Sequence, residues 1–290
     1  MLAKGLVRPK LIVQQIGWIC RTMADKSKLF ESPDIADAYV KYRPTYGPDV
    51  YNTIVEFCKE TETCDFSLAV DIGSGSGQST LPLSKHFRQV MGVDVSESQV
   101  SNAPKHIPNV TFRVGPAEDL SFLEKNSVDL VTVAQALHWM DTEKLYAEVE
   151  RVLKPGGAFV VFGYGLSTLD EPKAQETLNY LYKDVLGPYW TDGRQHVEEH
   201  YKSYSLPFSG WRRNDSLKIE RTWTVDEFVG YLCSWSAFQN YLMANPMANT
   251  MPSVKHEFRE AYAQGDMEPP REMKIVWPVF MLMGHKPASS

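Results

Sequence analysis

The sequence predicts an α/β fold in which helices cover both faces of a doubly wound, mostly parallel sheet. Short apolar runs rich in β-branched residues alternate with amphipathic segments of helical period, which is the pattern of βαβ units. The first of these runs ends in the glycine-rich stretch "VDIGSGSGQ", a strand-to-helix turn. Ligands of such sheets bind at the carboxyl ends of the strands, so the predicted site lies there.

The elements follow one another in a regular order. The strand of residues 68–72 precedes a predicted helix over residues 78–87, and the next helix is predicted to open at Ser96 as its N-cap. The other predicted strands of the first half are "QVMGVDV", "NVTFRVG", "VDLVTVAQ" and "AFVVFGYG". The helix "TEKLYAEVERVL" ends at "KPGG", and the strands "LKIERTWT" and "EMKIVWPVFML" follow in the C-terminal part.

Two segments depart from this order. Residues 1–24 carry four basic residues and no acid, faintly like a mitochondrial presequence, but a flexible extension before Met23 is the favoured interpretation. Residues 165–215 are polar and rich in Tyr and Trp, which predicts an insertion that closes over the substrate as a lid. The remaining predicted segments are N-terminal cap helices at 25–65, the cofactor-binding Rossmann-like core at 66–164 and the completion of the sheet at 216–290.

Composition and charge narrow the classes of function. The chain has 290 residues, 43% of them hydrophobic, a net charge of −6, and no apolar run near the roughly 20 residues of a membrane span. It also lacks a dense block of Lys and Arg, so the predicted partner is a small-molecule acceptor, with no nucleic acid and no membrane. The four cysteines show no CxxC spacing, which predicts free thiols, no metal site and a reducing, cytoplasmic compartment.

The glycine loop and an acid after the next strand indicate a nucleoside ligand. Gly73, Gly75 and Gly77 can adopt positive φ and let a ligand approach the backbone at the start of a helix. Asp94 lies about twenty residues on, where a carboxylate would accept hydrogen bonds from both hydroxyls of a ribose; a helix-cap acid is the alternative. NAD and S-adenosylmethionine both carry this diol, but a dinucleotide loop cradles a pyrophosphate that S-adenosylmethionine lacks.

Three features downstream favour S-adenosylmethionine. In "GPAEDLSF", Ala117 and Glu118 follow the third strand, where adenine would lie. In "AQALHWMD", Gln135, His138 and Trp139 follow the fourth strand at the reaction centre, and "LKPGGAFVVFGY" is a helix-to-strand turn before a fifth strand. His138 is predicted either as the catalytic base or as a residue that only orients the acceptor.

Taken together, these motifs resemble a known family. "VDIGSGSGQ", "GVDVSESQV", "GPAEDLSF" and "VLKPGGAFVVFGY", in this order, are similar to class I S-adenosylmethionine-dependent methyltransferases. "KYRPTYG", "ALHWMD", "GPYWTDGR", "YLCSWSAF" and "IVWPVFMLMGHK" resemble the trans-aconitate methyltransferase branch, and the resemblance covers roughly residues 28–287. It implies a seven-stranded Rossmann-like sheet with an antiparallel last strand, and S-adenosyl-L-methionine as the cofactor.

The resemblance also implies roles for individual residues: the glycine loop for the methionine part of the cofactor, Asp94 for the ribose and Ala117 for the adenine. Pro116 stands where many class I enzymes have an acid, and Cys233 stands where the branch has an arginine expected to pair with a substrate carboxylate. The predicted cofactor-binding residues are Asp71, Gly73, Ser74, Gly75, Gly77, Gln78, Asp94, Val95, Ala117, Glu118 and Gln135. The predicted substrate-binding residues are Tyr39, Tyr42, Arg43, Trp139, Tyr164, Arg194 and Trp235, and the predicted catalytic residue is His138.

The predicted function is methyl transfer from S-adenosylmethionine to a small molecule, on a carboxylate oxygen. A nitrogen or hydroxyl acceptor is the runner-up, and an NAD(P)-dependent oxidoreductase or a cofactor-binding protein without turnover are the alternatives of another class. Tyr39, Tyr42, Arg43 and Tyr46 form an aromatic and basic cluster that could cover the sulfonium and hold an anion, or could pack on the core. "HVEEH" fits a zinc-protease pattern, but a chance match in an exposed segment is the favoured interpretation.

Overall fold

The computed structural model describes residues 43–265 and 270–288, which form one sheet with helices on both faces. The predicted extension at residues 1–24, part of the predicted cap region, and the predicted substrate residues Tyr39 and Tyr42 lie outside the described residues. None of the described helices is long and apolar enough to cross a membrane.

The described residues contain nine strands. They are β1 Leu68–Ile72, β2 Gln89–Asp94, β3 Val110–Val114, β4 Val128–Ala134, β5 Leu153–Tyr164, β6 Thr168–Leu169, β7 Arg212–Asn214, β8 Lys218–Trp223 and β9 Met273–His285. From one edge, the order is β3, β2, β1, β4, β5 and β9, with β1 to β5 parallel to one another and β9 antiparallel to β5. The predicted fold class and the antiparallel last strand are confirmed.

These nine strands fill the seven predicted positions, because two of the positions are each occupied by two successive strands. β6 continues β5 along one edge of β9, which pairs Tyr164 with Val279 and then Thr168 with Val276. On the other edge of β9, β7 and β8 pair in succession with its later and earlier residues. β9 therefore holds the C-terminal half of the fold to the parallel core.

Nine α-helices lie within the described residues. They are α1 Pro48–Lys59, α2 Thr80–Leu83, α3 Glu97–Asn102, α4 Thr142–Val152, α5 Pro172–Tyr180, α6 Arg194–Glu198, α7 Val225–Cys233, α8 Ser236–Ala244 and α9 Thr250–Ala261. The predicted N-cap is confirmed, since the Ser96 side chain accepts a hydrogen bond from the Gln99 N–H. α2 is shorter than the predicted helix because Pro82 has no N–H to donate, and single turns continue the chain after Leu83.

The two faces of the sheet carry separate hydrophobic cores, because successive side chains of a strand point to opposite faces. In β4, Leu130 belongs to the core that contains α1, α7 and α9, whereas Val131 belongs to the core that contains α4. α4 contributes Leu145, Val149 and Val152, the predicted apolar face, all fully buried. Helices on both faces are the doubly wound architecture that the sequence predicts.

Residues 165–215, the predicted lid, are anchored to the sheet at both ends. β6 and β7 both pair with β9, and α5 and α6 lie between them. Tyr182 is buried in the core on one face of the sheet and Tyr201 in the core on the other. The division of the chain into five functional segments stays a prediction.

A buried carboxylate ties the starts of β1 and β5 together. Asp129 in β4 is fully buried and accepts hydrogen bonds from the backbone N–H groups of Ser67 and Leu68, both at 2.9 Å. Its other oxygen lies 2.8 Å from Nζ of Lys154, which also lies 2.7 Å from a carboxylate oxygen of Asp65. This network fixes the entry of β1, the strand that leads to the glycine loop.

We predict that Asp129→Asn lowers the free energy of unfolding by about 3–5 kcal/mol, because Lys154 loses a buried counter-charge. Denaturation in urea measures this change. The matched control is Glu220→Gln in the exposed Lys218–Glu220 pair, which should change stability by less than about 0.5 kcal/mol. Equal effects of the two substitutions would contradict the prediction.

Candidate functional site

A cavity of about 270 Å³ opens at the carboxyl ends of β1, β2, β4 and β5. Of the predicted site residues, those that line it are Arg43, Gly73, Ser74, Gly75, Gln78, Asp94, Val95, Ala117, Glu118, Gln135, Trp139 and Tyr164. The other lining residues are Pro44, Tyr46, Ser79, Val93, Ser96, Gln99, Gly115, Pro116, Ala134, Ala136 and Met140. Sequence reasoning missed several of these small residues, because nothing in their type distinguishes them from ordinary loop residues.

The glycine loop forms one wall of this cavity, and two of its glycines leave no room for a side chain. Gly73, Gly75 and Gly77 have φ angles of 70°, 55° and 98°. A Cβ atom on Gly73 would lie 2.6 Å from Cβ of Ala136, and one on Gly77 would lie 2.7 Å from the Phe112 ring. Gly77 therefore packs on β3, while the backbones of Gly73 and Gly75 face the cavity.

Ser74 carries an unsatisfied polar group in this wall. Its buried hydroxyl has no hydrogen-bond partner among the residues that the structure describes. A buried hydroxyl without a partner costs about 1–3 kcal/mol, and a polar ligand group would remove that cost. This hydroxyl and the bare glycine backbone fit the polar methionine end of the expected cofactor.

Asp71, predicted as a cofactor-binding residue, lies behind the loop. It is fully buried and accepts hydrogen bonds from the hydroxyls of Ser79 and Thr80, both at 2.6 Å, and of Thr132 at 2.8 Å. Burial raises the pKa of Asp71, and the three hydroxyls act against that rise. This geometry makes Asp71 a residue that positions the loop from behind.

Asp94 lies at the rim of the cavity, and its carboxylate oxygens can accept further hydrogen bonds. One carboxylate oxygen accepts a hydrogen bond from the Gly75 N–H and the other from the Ser96 N–H, each at 2.8 Å. Each oxygen has a further lone pair, so the carboxylate can still bind the two hydroxyls of a diol. Burial raises the pKa of Asp94, while the two backbone N–H groups favour the ionised form.

The cavity beyond Asp94 is largely apolar. Val95 is 63% exposed and lines the cavity together with Pro116 and Ala117. Glu118 is anchored, because its Oε1 accepts a hydrogen bond from the Asp141 N–H at 2.8 Å, at the start of α4. These surfaces suit a flat aromatic base.

The opposite end of the cavity carries a guanidinium and two phenol rings. Arg43 donates a hydrogen bond from Nη1 to the Tyr164 hydroxyl at 3.3 Å and one from Nη2 to the Ser234 carbonyl at 3.1 Å. The rings of Tyr46 and Tyr164 lie 5.9 Å apart. Gln135 fixes this end, because its side-chain amide exchanges hydrogen bonds with the backbone of Tyr164 at 3.1 and 2.8 Å.

His138 packs against the predicted lid. Its Nδ1 lies 2.6 Å from the Tyr201 hydroxyl, and its ring lies 5.0 Å from the ring of Trp139, which does line the cavity. A Cβ atom on Gly193 would lie 2.9 Å from the His138 carbonyl oxygen, so the backbone of the lid is in contact with His138. Tyr201, which sequence reasoning missed, has the unusual φ of 56° and is fully buried.

Arg194, a further predicted substrate residue, lines a second, more open cavity of about 760 Å³ next to the end of β5. Trp235, also predicted to bind substrate, lies behind this cavity. Arg194 stacks on the ring of Trp190, with its Cζ 4.4 Å from the ring centroid, and donates a hydrogen bond to the Tyr182 hydroxyl at 2.5 Å. Its side chain is only 19% exposed. The ring of Trp235 lies 5.5 Å from that of Trp190 and backs this wall.

The "HVEEH" stretch does not form the zinc arrangement of its sequence pattern. α6 ends at Glu198, so His196 lies in the helix and His200 lies beyond it. His196 Nδ1 instead lies 2.9 Å from the Ser203 hydroxyl. Over residues 43–265 and 270–288, no group of three or more His, Cys, Asp or Glu side chains could hold a metal ion.

Comparisons with known proteins identify the family. Residues 70–161 match the family model described as "Methyltransferase domain". A protein of Dictyostelium discoideum named as a methyltransferase is 30% identical over 254 residues, which cover 87% of this chain and 93% of that one. The Saccharomyces cerevisiae protein CRG1, named as an S-adenosylmethionine-dependent methyltransferase, is 27% identical, and the match covers 90% of this chain and 97% of that one.

A solved structure agrees with these relatives. A type II methyltransferase from Anaeromyxobacter dehalogenans, named as such, is 33% identical with a TM-score of 0.73, and the match covers 86% of this chain and 100% of that one. These findings support a methyltransferase and set aside the two alternative functions of another class, an NAD(P)-dependent oxidoreductase and a cofactor-binding protein without turnover. This enzyme belongs to the S-adenosylmethionine-dependent methyltransferases and uses S-adenosylmethionine as its cofactor.

Proposed function

We propose that this methyltransferase acts on a small molecule and transfers the methyl group to a carboxylate oxygen, which yields a methyl ester. The composition of the cavity wall carries the proposal. Arg43 places a guanidinium there, whereas all seven histidines of the chain lie within the described residues and none of them lines the cavity. Such a wall suits an acceptor that must be held as an anion but needs no imidazole base.

The chemistry of the donor explains why a base can be absent. S-adenosylmethionine supplies a methyl group on a sulfonium, so transfer needs mainly alignment of the acceptor at about 3 Å and exclusion of water. A carboxylate with a pKa of about 4 is already ionised near neutral pH. Its oxygen forms the new bond to the methyl carbon as the carbon–sulfur bond breaks, and the electron pair stays on sulfur. An amine or hydroxyl acceptor would first have to lose a proton.

In this proposal the described residues divide between cofactor and acceptor. The Gly73–Gly75 backbone and Ser74 hold the methionine end, Asp94 the ribose hydroxyls, and the surface around Val95 and Ala117 the adenine. The glycine geometry, the unpartnered Ser74 hydroxyl and the spare acceptor capacity of Asp94 support these roles. Glu118, already anchored to α4, would accept from the adenine amino group in place of the acid missing at Pro116.

Arg43 is the proposed binding group for the reacting carboxylate. Its guanidinium is held in the cavity wall by Tyr164 and by the Ser234 carbonyl. Ser234 directly follows Cys233, where the resemblance to the trans-aconitate branch leads one to expect an arginine. Arg43 therefore brings a guanidinium, from a different part of the chain, next to the position from which that arginine is missing. This placement supports a carboxylate acceptor.

Arg194 is the proposed binding group for a second anionic group of the acceptor. Its guanidinium is mostly buried and stacked on Trp190 in the neighbouring cavity. A chain of ring contacts through Trp235 and Tyr231 leads from this cavity to Arg43, whose Cζ lies 5.8 Å from the Tyr231 centroid. A guanidinium in each of two neighbouring cavities would suit an acid with two or more carboxylates, as the resemblance to the trans-aconitate branch also suggests.

We predict that Asp94→Asn weakens the binding of S-adenosylhomocysteine by about 1.5–3 kcal/mol, because the ribose hydroxyls lose a charged acceptor. Titration calorimetry measures the dissociation constant. The matched control is Glu97→Gln on the exposed side of α3, which should bind like the wild type. An unchanged dissociation constant for folded Asp94→Asn would place the ribose elsewhere.

The pH dependence of the same binding should follow the ionisation of Asp94. Burial raises its pKa in the free protein, and the diol donates its hydrogen bonds to the ionised form. Affinity should therefore be constant above that raised pKa and fall as pH drops through it. Calorimetry from about pH 8 down to about pH 4, near the pKa of an ordinary aspartate, tests this. Asp94→Asn should lose the acidic limb, and an equally steep fall in that variant would assign the limb to another group.

The acceptor class is tested by screening di- and tricarboxylic acids against amines and phenols in a methyl-transfer assay. We expect transfer to the acids and, with the best of them, a rate independent of pH from about 6 to about 9, because the carboxylate is ionised throughout. His138→Ala should slow this reaction only modestly. Transfer only to amines or phenols, with an ascending limb that His138→Ala removes at a loss of about 10²–10⁴ in rate, would establish the runner-up instead.

We predict that Arg194→Gln raises KM for dicarboxylic acceptors by about 10–100-fold, the equivalent of one or two charged hydrogen bonds, and changes KM for matched monocarboxylic acceptors less than about twofold. Steady-state kinetics with the two acceptor series measure both values. Arg259→Gln, at an exposed arginine of α9, is the control and should change neither. An equal loss with both series would remove the second anionic contact from the proposal.

A further inference from the structure

His200 lies half-buried in the wall of the second cavity, which also contains Arg194. Its ring stacks on the ring of Phe280, with the centroids 5.2 Å apart and the planes 18° from parallel. Within the part of the chain that the structure describes, no hydrogen bond involves the imidazole nitrogens. The ring therefore keeps its hydrogen-bonding capacity for a ligand in this cavity.

The backbone holds this ring in a fixed place. His200 has a φ of 55° and Tyr201 a φ of 56°, so two consecutive residues other than glycine are left-handed. Such a backbone is costly, persists only where the surrounding contacts determine it, and occurs mostly at functional sites. Here Arg213 donates a hydrogen bond from Nη2 to the His200 carbonyl at 2.6 Å, and Tyr201 is fully buried. A ring fixed in this way loses little conformational freedom when it binds a ligand.

The walls of the two cavities are made by neighbouring residues at the end of β5. Tyr164, the last residue of β5, lines the first cavity, and Leu166 lines the second. Their Cα atoms are at most about 7 Å apart, because two residues of extended chain span no more than that. Gly165 between them contacts the imidazole, since a Cβ atom on Gly165 would lie 2.4 Å from His200 Nε2. The second cavity thus begins within two residues of the first.

The charged groups around His200 keep its imidazole neutral near pH 7. Burial lowers the pKa of His200, Arg213 and Lys202 lower it further, and Asp215 acts against them. The charged side chains that share the cavity wall with His200 are Lys183, Asp192, Arg194 and Glu198. A neutral imidazole offers one N–H donor and one acceptor, and it becomes a cation as pH falls.

We propose that His200 is a specificity-determining residue that binds the distal acid group of the acceptor together with Arg194. This role rests on the proposed function, in which Arg43 binds the reacting carboxylate in the first cavity. The acceptor is then a small acid whose second anionic group extends into the second cavity. There the imidazole donates its N–H to an oxygen of that group. When His200 is protonated, the cavity gains a second cation besides the Arg194 guanidinium, and the anion binds more tightly.

The test compares pairs of acids that differ only at the distal end, a monocarboxylic acid and the same acid with a terminal sulfonate. The sulfonate stays ionised throughout, and the reacting carboxylate, with a pKa of about 4, is ionised above about pH 5.5. With S-adenosylmethionine saturating, we expect KM for the sulfonated acid to fall several-fold as pH is lowered from about 8 to about 5.5, because protonated His200 binds the anion better. KM for the unsulfonated acid should show no such fall.

His200→Asn removes the imidazole, and asparagine tolerates the left-handed backbone. We expect the ratio of KM for the unsulfonated acid to KM for the sulfonated acid to fall about tenfold, as for the loss of one charged hydrogen bond, and the pH dependence to disappear. His106→Asn, at an exposed histidine outside both cavities, is the matched control and should keep both properties. The same ratio and pH dependence in folded His200→Asn as in the wild type would overturn the proposal.

NMR of the full chain with isotope-labelled histidine gives a second readout that needs no turnover. The His200 signal, identified as the one missing from His200→Asn, should titrate below the ordinary pKa of about 6.5 in the free enzyme. The sulfonated acid should raise this pKa and the unsulfonated acid should not, because only the former places an anion beside the ring. His200→Gln serves for both measurements should the asparagine variant not fold.

The two readouts separate the role of His200 from the proposed reaction. A sulfonated acid that is methylated but leaves the His200 pKa unchanged would overturn the role of His200 and leave the carboxylate acceptor standing. A sulfonated acid that raises the His200 pKa but is not methylated would support anion binding at His200 and overturn the proposed reaction instead.

Discussion

The buried carboxylate of Asp71 is the contact on which the geometry of the cavity depends. It holds the first residues of α2 through the hydroxyls of Ser79 and Thr80, and it holds β4 through the hydroxyl of Thr132. The glycine loop therefore begins and ends at fixed points, and its positive φ angles follow from the short path between them. Because β4 leads into the segment with Gln135 and Trp139, the same carboxylate sets both walls of the cavity relative to each other.

Asp94, at the end of the next strand, also holds the glycine loop with its carboxylate, but it lies at the surface of the cavity. Its carboxylate also anchors the loop, through the Gly75 N–H, and it fixes the start of α3 through the Ser96 N–H. The Asp71 carboxylate accepts hydrogen bonds from three hydroxyls of the protein. The Asp94 carboxylate accepts hydrogen bonds only from backbone N–H groups, and its remaining lone pairs can accept hydrogen bonds from a ligand. Two acids at the ends of neighbouring strands thus have different roles, and their partners decide which role each has.

The different partners of Asp71 and Asp94 show which features of the site could be predicted from the sequence and which could not. The strand and helix order, the N-cap at Ser96 and the glycine loop depend on neighbours within a few residues, and these features were predicted from the sequence. Sequence position also placed Asp71 close to the site, but its side chain contacts Thr132, 61 positions away, and so lies behind the loop. The contact between His138 and Tyr201 is of the same kind, since it depends on how the lid segment packs. Periodicity gives the end of a strand, but not the tertiary partner of a side chain.

The predicted lid, residues 165–215, shows why the proposed acceptor end is harder to predict than the proposed cofactor end. The cofactor end is built from loops at the carboxyl ends of successive strands, so chain order alone brings its residues together. The proposed acceptor end combines Arg43 from before α1, Ser234 from after α7 and Arg194 from the predicted lid, and only tertiary contacts place these residues. Because the methyl group of S-adenosylmethionine is already activated, this end has only to orient the acceptor and exclude water. In the proposed function, buried rings and the guanidinium groups of Arg43 and Arg194 would supply both. Acceptor specificity would then depend on a few side chains that the core motifs do not include.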